Sequence, residues 1–434
     1  MTMGKKASTT GISRRQLLQG AAALLANSAL ASSPELPRLR EIARNDAVEY
    51  GKDTLPAGIR SRYVDNNNGL RMHLLEAGFE EQGRPCVVLL HGFPELAYSW
   101  RNQLLPLART GLHVIAPDLR GYGRSAPRPV AFNDDLQPYV LLNRVSDVLG
   151  LIRALGYEKV AGVVGHDWGA PTAAWCALVR PDVFRSVVFM STPFDGPPEL
   201  PLGTADHPLP KVPKSDIDQD LAALPRPRKY YRSYLSTRAA NQDLWHAPQG
   251  VHDLLRAWFY FKSADWPGNK PLPLQSWTAS ELAKMPEYYV MDLHKTVAQT
   301  MAEHMPSQAQ IAACTWMTES DVQVYSTEYV RTGFQGAINS YRLLTSSRYE
   351  WELDGFAGRT IDVPSCYIAG ASEWGVYQSP GAFEAMQKGA CTRLLGVHLV
   401  RGAGHSVAEE QPNEVNRLLI EFLQQVKNES GWQA

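Results

Sequence analysis

The sequence GHDWG at residues 165–169 follows an apolar run at 160–164 and opens a segment with helical character. A sharp turn from a strand into a helix tolerates only small residues beside its central side chain, which accounts for Gly165 and Gly169. Such a turn lifts the central side chain, here Asp167, above the edge of a sheet. The stretch therefore predicts a nucleophile elbow that carries an aspartate. The alternative is an ordinary strand–turn–helix in which Asp167 caps the helix.

An aspartate at an elbow restricts the chemistry that the elbow can perform. Serine at this position would predict an esterase or a lipase. A carboxylate is poorly suited to attack an ester carbonyl, but it can displace a leaving group at a saturated carbon and become an alkyl ester of the enzyme. Asp167 as a nucleophile therefore points to epoxides or to carbon–halogen bonds.

Short apolar runs alternate with helical patterns on both sides of the elbow. Gly, Pro or polar residues bound each run, as expected of buried parallel strands. Segments 141–155 and 415–426 place their apolar residues on one helical face. The alternation predicts a doubly wound, mostly parallel α/β sheet with helices on both faces. The predicted strands are 86–90, 114–116, 160–164, 187–190, 366–369 and 397–400.

One long segment departs from this alternation. Residues 196–352 open with several prolines, lack buried-strand runs and are rich in Tyr, Trp and helix formers. The segment predicts a helical cap inserted into a core made of residues 61–195 and 353–434. Such a cap would cover a pocket at the carboxyl ends of the strands, where open α/β sheets bind ligands.

The N-terminus has the features of an export signal. Arg14 and Arg15 precede a run rich in Ala and Leu that ends in Ala-Leu-Ala at 29–31, which resembles a twin-arginine signal. The run is shorter than the roughly 20 apolar residues that a spanning helix needs, so no permanent membrane anchor is expected. We expect a signal peptide at 1–31, a lead segment at 32–60, export by the twin-arginine machinery and a periplasmic or secreted protein.

The composition favours a globular protein with a small-molecule partner. The chain has 434 residues, 44% of them apolar, which supports a sizeable core. Its formal net charge of -1 gives no electrostatic reason for binding nucleic acid. No CxxC or His-rich spacing among the five cysteines and eleven histidines suggests a metal, and no cofactor is expected.

Further motifs follow other predicted strands. HGFPE at 91–95 can aim the backbone N–H of Phe93 at the pocket, where it would form an oxyanion hole with the N–H of Trp168. GAGH at 402–405 follows the last strand and offers His405 as the base.

An acid to orient His405 comes from the segment between the elbow and the histidine. ASEWG at 371–375 follows a predicted strand and offers Glu373. With Asp167 this predicts a triad in the chain order nucleophile, acid, histidine. His91 and His166 are interpreted as structural turn residues, and His73 is expected on a strand facing solvent.

Taken together, the motifs resemble those of epoxide hydrolases with the α/β-hydrolase fold. The resemblance covers about residues 62–426. It implies that Asp167 opens an epoxide to a hydroxyalkyl ester, and that water activated by His405 hydrolyses the ester to a vicinal diol. The matching motifs are HGFPE at 91–95, DLRGYGRS at 118–125, GHDWGA at 165–170, GFQGAINSYR at 333–342 and GAGH at 402–405.

The resemblance also implies two cap tyrosines that hydrogen-bond the epoxide oxygen. Tyr341 matches one of them, and Tyr231 matches the other, with Tyr230 and Tyr234 as alternatives. Relatives often carry tryptophan where Ser340 stands, which leaves the shape of the pocket open.

Alternatives remain for the triad acid and for the function. Aspartate is the usual acid in the family; glutamate is less common, and some relatives place the acid at the position of Asp195. A haloalkane dehalogenase would use the same nucleophile, although such enzymes often carry asparagine where Phe93 stands. A non-catalytic ligand-binding protein on the same fold is the third reading.

Overall fold

The computed structural model describes residues 50–200 and 216–430. The predicted signal peptide and most of the predicted lead segment lie outside these residues, as does the stretch 201–215 of the predicted cap. Within the described ranges, no helix is long and apolar enough to cross a membrane.

A single large sheet organises the core. Its predicted strands are all present, although the strand before the elbow begins at Gly162 rather than at residue 160, because Val160 forms only an isolated bridge with Phe184. The strands of the described chain are β1 (Arg60–Asp65), β2 (Arg71–Ala77), β3 (Cys86–Leu90), β4 (His113–Pro117), β5 (Gly162–His166), β6 (Val187–Met190), β7 (Arg228–Tyr230), β8 (Val290–Asp292), β9 (Ser365–Gly370) and β10 (Leu394–Val400).

The strand order of the large sheet is β1-β2-β4-β3-β5-β6-β9-β10. Strand β2 is antiparallel to both of its neighbours, and all other pairs are parallel. The prediction of a mostly parallel α/β sheet is therefore confirmed. Its carboxyl ends place the elbow after β5, the HGFPE turn after β3, the Glu373 loop after β9 and the His405 loop after β10.

Amphipathic helices cover the sheet. In the helix before the elbow, Val145, Val148, Leu151 and Ile152 are buried, as its periodicity predicts. The α-helices are α1 (Arg101–Ala108), α2 (Leu141–Ala154), α3 (Gly169–Val179), α4 (Ile217–Ala222), α5 (Tyr231–Leu235), α6 (Arg238–Trp245), α7 (Gly250–Lys262), α8 (Ala279–Leu282), α9 (Val297–Ala302), α10 (Gln308–Ala313), α11 (Glu319–Thr332), α12 (Gln335–Leu344), α13 (Ala382–Ala385), α14 (Val407–Glu410) and α15 (Pro412–Ser430).

Helices α4 to α12 lie between β6 and β9 in the chain, within the segment predicted as a cap. The segment also contains the short antiparallel pair β7 and β8, in which Tyr230 pairs with Val290. The sequence of this segment predicts no strands, because runs of three residues are too short to produce a buried-strand pattern. The boundaries 196–352 stay a prediction.

Candidate active site

The elbow after β5 holds Asp167 in a backbone conformation that few side chains adopt. Its φ angle is +49°, in the left-handed region. The neighbouring glycines are required by close approach of the chain: a Cβ on Gly165 would lie 2.1 Å from the carbonyl oxygen of Gly169, and one on Gly169 would lie 2.2 Å from that of Leu90. The strained turn is the geometry of a nucleophile elbow, and it raises the carboxylate above the sheet.

The turn after β3 approaches the same carboxylate. A Cβ on Gly92 would lie 2.3 Å from the Cβ of Asp167, so only glycine fits there. The N–H of Phe93 donates a hydrogen bond of 2.8 Å to Asp167 Oδ1. The N–H of Trp168, the other group predicted for the oxyanion hole, makes no hydrogen bond to any residue that the structure describes. The Phe93 amide therefore contacts the Asp167 carboxylate, and the Trp168 amide belongs to the next residue in the chain.

His405 links Asp167 to Glu373. Its Nε2 lies 3.8 Å from Asp167 Oδ2, and its Nδ1 lies 3.1 Å from Glu373 Oε2. Burial acts to raise the pKa of Glu373, but the charge and hydrogen bond of His405, with a smaller effect of Lys262, lower it to about 2. Glu373 is therefore ionised when it orients the imidazole.

Asp195, the alternative acid, lies elsewhere in the site. Its side chain lines the pocket, where partial loss of hydration raises the pKa of its carboxyl group. Among the described residues, the partners of His405 Nδ1 are Glu373 and the hydroxyl of Ser191, at 3.2 Å. The structure thus brings Glu373, not Asp195, to the histidine.

Two buried groups that the sequence analysis did not identify hold the histidine loop. The carboxyl oxygens of Glu410 accept hydrogen bonds from the N–H groups of Gly404, at 2.8 Å, and Ser406, at 3.1 Å, on either side of His405. The carbonyl oxygen of Lys262, at the end of α7, accepts the N–H of His405 at 2.9 Å. No local sequence pattern predicts these contacts. The contact of Lys262 with His405 joins segments that are distant in the chain, and those of Glu410 depend on how the loop folds back.

His166 joins the elbow to the loops on both sides. One ring nitrogen lies 2.7 Å from Glu95 Oε2 and the other lies 2.8 Å from the carbonyl oxygen of His405, so both act as donors when the ring is protonated. Burial opposes protonation, but the charge of Glu95 and its hydrogen bond raise the pKa of His166 to about 9. The structure therefore supports the structural role expected for His166.

The two predicted cap tyrosines face each other over the elbow. The rings of Tyr231 and Tyr341 are 5.8 Å apart, and the Tyr341 ring lies edge-on to Trp168 at 5.1 Å. The hydroxyl of Tyr231 donates to Gln378 Oε1 at 3.2 Å and accepts from Arg232 Nε at 3.1 Å. Burial raises the pKa of both tyrosines well above the ordinary value, so both hydroxyls keep their protons.

The alternative tyrosines make different contacts. Tyr234 donates its hydroxyl to Asp243 Oδ2 at 2.5 Å. The hydroxyl of Tyr230 is buried without a hydrogen-bond partner in the described structure, and its ring packs on Trp277. Of these three tyrosines only Tyr231 lines the pocket that contains Asp167.

The pocket has a volume of about 400 Å³, within the range of small-molecule sites. In the described parts of the chain, no group of three His, Cys, Asp or Glu side chains is placed to hold a metal ion. The groups that lie near Asp167 are hydrogen-bond donors, a histidine base and aromatic rings. The pocket is lined by Val140, Leu141, Arg144, Asp167, Trp168, Ala170, Pro171, Thr192, Pro193, Phe194, Asp195, Tyr231, Arg232, Ser340, Leu343, Leu344, Glu352, Leu353, Gly375, Gln378, Ser379 and Ala382.

Comparison with known proteins gives the same family for the sequence and for the structure. Residues 85–246 match the family model of the α/β hydrolase fold. The chain is 30% identical over 367 residues to epoxide hydrolase B of Mycobacterium tuberculosis, covering 82% of this chain and 96% of that protein. It is 32% identical to epoxide hydrolase A of the same organism, covering 83% and 96% of the two chains.

Solved structures agree with these relatives. An epoxide hydrolase from an endophytic Streptomyces superposes with a TM-score of 0.67 at 32% identity, covering 86% of this chain and 97% of the other. Epoxide hydrolase I of potato (Solanum tuberosum) gives 0.62 at 28% identity, covering 85% and 99%. With these relatives and an aspartate on its elbow, the chain belongs to the epoxide hydrolase family of the α/β-hydrolase fold.

Proposed function

We propose that this protein hydrolyses an epoxide to a vicinal diol in two steps, through a covalent ester on Asp167. The observation that carries the proposal is the position of the Asp167 carboxylate, with the Phe93 N–H on one oxygen and His405 Nε2 3.8 Å from the other. A carboxylate between an amide donor and a base has the environment that formation and hydrolysis of an alkyl ester both require. The relatives named above are epoxide hydrolases, which selects epoxides over other electrophiles.

In the first step, Asp167 attacks one ring carbon and the C–O bond to that carbon breaks. The ring oxygen becomes an alkoxide, a poor leaving group that needs a proton donor. Tyr231 and Tyr341 supply hydrogen bonds to it, and one of them transfers the proton. Because burial raises the pKa of both phenols, the pair begins the step protonated.

In the second step, His405 removes a proton from water, which attacks the carboxyl carbon of the ester. His405 Nε2 is buried and has no hydrogen-bond partner among the described residues, so its lone pair is available for this task. Glu373 holds the opposite nitrogen and stabilises the imidazolium that forms. The oxyanion is stabilised by the N–H groups of Phe93 and Trp168. As it collapses, the ester C–O bond breaks, the imidazolium of His405 gives its proton to the leaving oxygen, and the second proton of the water returns to the tyrosinate. The diol leaves, and the Asp167 carboxylate, the neutral histidine and both phenols are restored.

The alternative functions lack a comparable observation. A halide ion needs weak donors in an apolar pocket, and the side chain at Phe93 offers none. The Phe93 ring instead packs edge-on to Tyr341 at 5.7 Å. A non-catalytic binding protein would have no use for an ionised Glu373 that orients a buried histidine toward a strained aspartate.

Mass spectrometry of the His405→Gln variant tests the two-step proposal. The variant should form the ester and fail to hydrolyse it, so its intact mass should rise by the mass of one epoxide. The Asp167→Asn variant is the matched control and should show no increase. In heavy-oxygen water, a single turnover of the wild type should label the peptide that contains Asp167. Label found only in the diol would mean direct attack by water and would contradict the proposal.

We further propose that the mature protein is exported and acts in the periplasm or outside the cell. The support is the sequence alone: the twin arginines, the apolar run and the Ala-Leu-Ala site at 29–31 occur in the order of a twin-arginine signal. N-terminal sequencing of the protein from a fractionated producing cell should give a start near Ser32. A cytoplasmic protein that retains Met1 would contradict this proposal.

A further inference from the structure

Arg144 is a cation in the active-site pocket, and no carboxylate of the described residues forms a salt bridge with it. It lies on α2 and lines the pocket, and its guanidinium carbon is 5.4 Å from the ring centroid of Trp168. Its Nε donates to the carbonyl oxygen of Tyr139 at 2.9 Å, and its Nη2 donates to Ser340 Oγ at 2.8 Å. Both acceptors are neutral, so neither balances the charge.

The nearby acidic groups are engaged elsewhere. Asp147, one helical turn after Arg144, binds the guanidinium of Arg120 at 2.6 and 2.7 Å. Burial lowers the pKa of Arg144, and the charge of Asp147 opposes that effect only in part. Within the described residues no salt bridge reaches Arg144, which retains its charge because an arginine does not lose its proton in proteins.

The other charged residues on the pocket wall contact different groups. Arg232 donates its Nε to the hydroxyl of Tyr231 at 3.1 Å, and Glu352 accepts a hydrogen bond from the side chain of Gln137. Around Arg144 the wall is otherwise mostly apolar, with Leu141, Trp168 and Leu343. A guanidinium has five N–H donors, of which Arg144 uses two, on Tyr139 and Ser340.

On this basis, and resting on the proposed epoxide hydrolysis, we propose that the substrate is an epoxide that carries an anionic group, a carboxylate, and that Arg144 binds this group. A fork of guanidinium N–H groups matches the two oxygens of a carboxylate, and the apolar surroundings strengthen the attraction. The chain between the carboxylate and the epoxide would lie against the apolar wall.

The position of Arg144 also limits where the anionic group lies relative to the epoxide. The indole of Trp168 is near both groups: its ring centroid lies 5.4 Å from the guanidinium carbon of Arg144 and 5.1 Å from the centroid of the Tyr341 ring. With the epoxide oxygen at Tyr341 and the carboxylate at Arg144, the part of the substrate that joins them would pass along this indole. Ser340 supports this arrangement, because its small side chain leaves space for the guanidinium and its hydroxyl orients it.

The test compares terminal epoxy acids of increasing chain length with their methyl esters, using the full-length mature protein. We expect kcat/KM to favour the acid of the best length over its ester by roughly ten- to a hundredfold, in the range for a charge-assisted hydrogen-bonded pair. Added salt should reduce the preference. The ester reports whether the site works at all, so it separates failure of Arg144 binding from failure of the proposed reaction.

Variants assign the preference to a residue. Arg144→Gln retains donors for Tyr139 and Ser340 but removes the charge. Its kcat/KM for the acid should therefore fall to about its kcat/KM for the methyl ester. Arg153→Met, an exposed arginine on the same helix, should keep the wild-type ratio. A wild type without preference for the acid, or a preference that survives in Arg144→Gln, would overturn the proposal. If neither acid nor ester is consumed by folded wild-type protein, the proposed function itself fails.

Discussion

The two halves of the active site are built in different ways. In the core half, Asp167, His405 and Glu373 follow parallel strands, and backbone groups help to hold them: the N–H of Phe93 binds Asp167, and the carbonyl of Lys262 accepts the N–H of His405. In the cap half, Tyr231 and Tyr341 are held by side-chain contacts, above all those of the Tyr231 hydroxyl with Arg232 and Gln378.

This difference in construction matches two chemical roles, that of the nucleophile and base in the core half and that of the proton donors in the cap half. A nucleophile and a base must keep one geometry through two chemical steps, and a strained turn with required glycines provides it. A proton donor must only reach an oxygen whose position varies with the substrate. Two tyrosines with packed rings can share that task. We therefore expect single changes in the cap half to be partly compensated, and changes in the core half to be specific to one step.

The largest effect is expected when both donors of the cap half are removed. Tyr231→Phe or Tyr341→Phe alone should slow ring opening by roughly ten- to a thousandfold, the range for loss of one general acid while a second remains. The double variant should nearly abolish it, because the alkoxide then has no acid. Single-turnover formation of the ester, followed by rapid quench and mass spectrometry, measures this step directly.

Tyr230→Phe is the matched control for these variants. It removes a hydroxyl that is buried without a hydrogen-bond partner in the described structure, next to Tyr231 in the chain. It should therefore leave ester formation close to the wild-type rate. A double variant that retained full epoxide activity would show that the tyrosines are not the acids, and the division of the site into two halves would fail.

The core half offers a smaller but more specific effect. Glu373→Ala should slow hydrolysis of the ester by roughly a hundredfold or more, because the orienting carboxylate is lost from the histidine. Its rate of ester formation should fall less, since Asp167 attacks without the base. Asp195→Ala should change hydrolysis far less, as Asp195 does not contact His405. The reverse ranking of the two variants would restore Asp195 as the triad acid.

The sequence predicts the site residues of the core half better than those of the cap half, because strand ends place the former and side-chain contacts place the latter. Motifs at strand ends predicted Asp167, His405 and Glu373, and the structure brings the three together because parallel strands end at one edge of a sheet. The choice of Tyr231 over its neighbours was open in the sequence, because it depends on the turn from β7 into α5. That Arg144 has no salt bridge within the described residues had no sequence signal, since it depends on where Asp147 and Arg120 point.

His73 shows a second limit of the sequence. It was expected to face solvent on an early strand, and that prediction was wrong. It is buried on β2, with its ring nitrogens at 2.8 Å from Asp118 Oδ2 and 2.9 Å from Ser61 Oγ. The rings of Tyr50 and Tyr63 pack against its imidazole at 4.5 and 5.4 Å, and such contacts with other segments cannot be seen in the alternation of one strand.

The smallest effect we predict concerns the pair that joins the two loops of the core half, Glu95 and His166. The pKa of His166 is raised to about 9 by Glu95, against burial, and His166 lowers the pKa of Glu95 to about 2. A group whose pKa is raised in the folded protein stabilises it fully below its unfolded pKa, about 6.5 for histidine. That contribution is lost as the pH rises toward 9. The contribution of Glu95 is lost as the pH falls from about 4.5 toward 2.

The pair should therefore stabilise the fold most between about pH 4.5 and 6.5, and its contribution should decline above that window. Urea unfolding of the wild type and of a Glu95→Gln/His166→Gln variant across this range measures it. The free energy of unfolding should fall more steeply from pH 6.5 to 9 in the wild type, because its folded state holds the His166 proton that the unfolded state releases. Equal slopes would mean that His166 is neutral in the folded protein, and that a neutral hydrogen bond rather than an ion pair ties the elbow to the histidine loop.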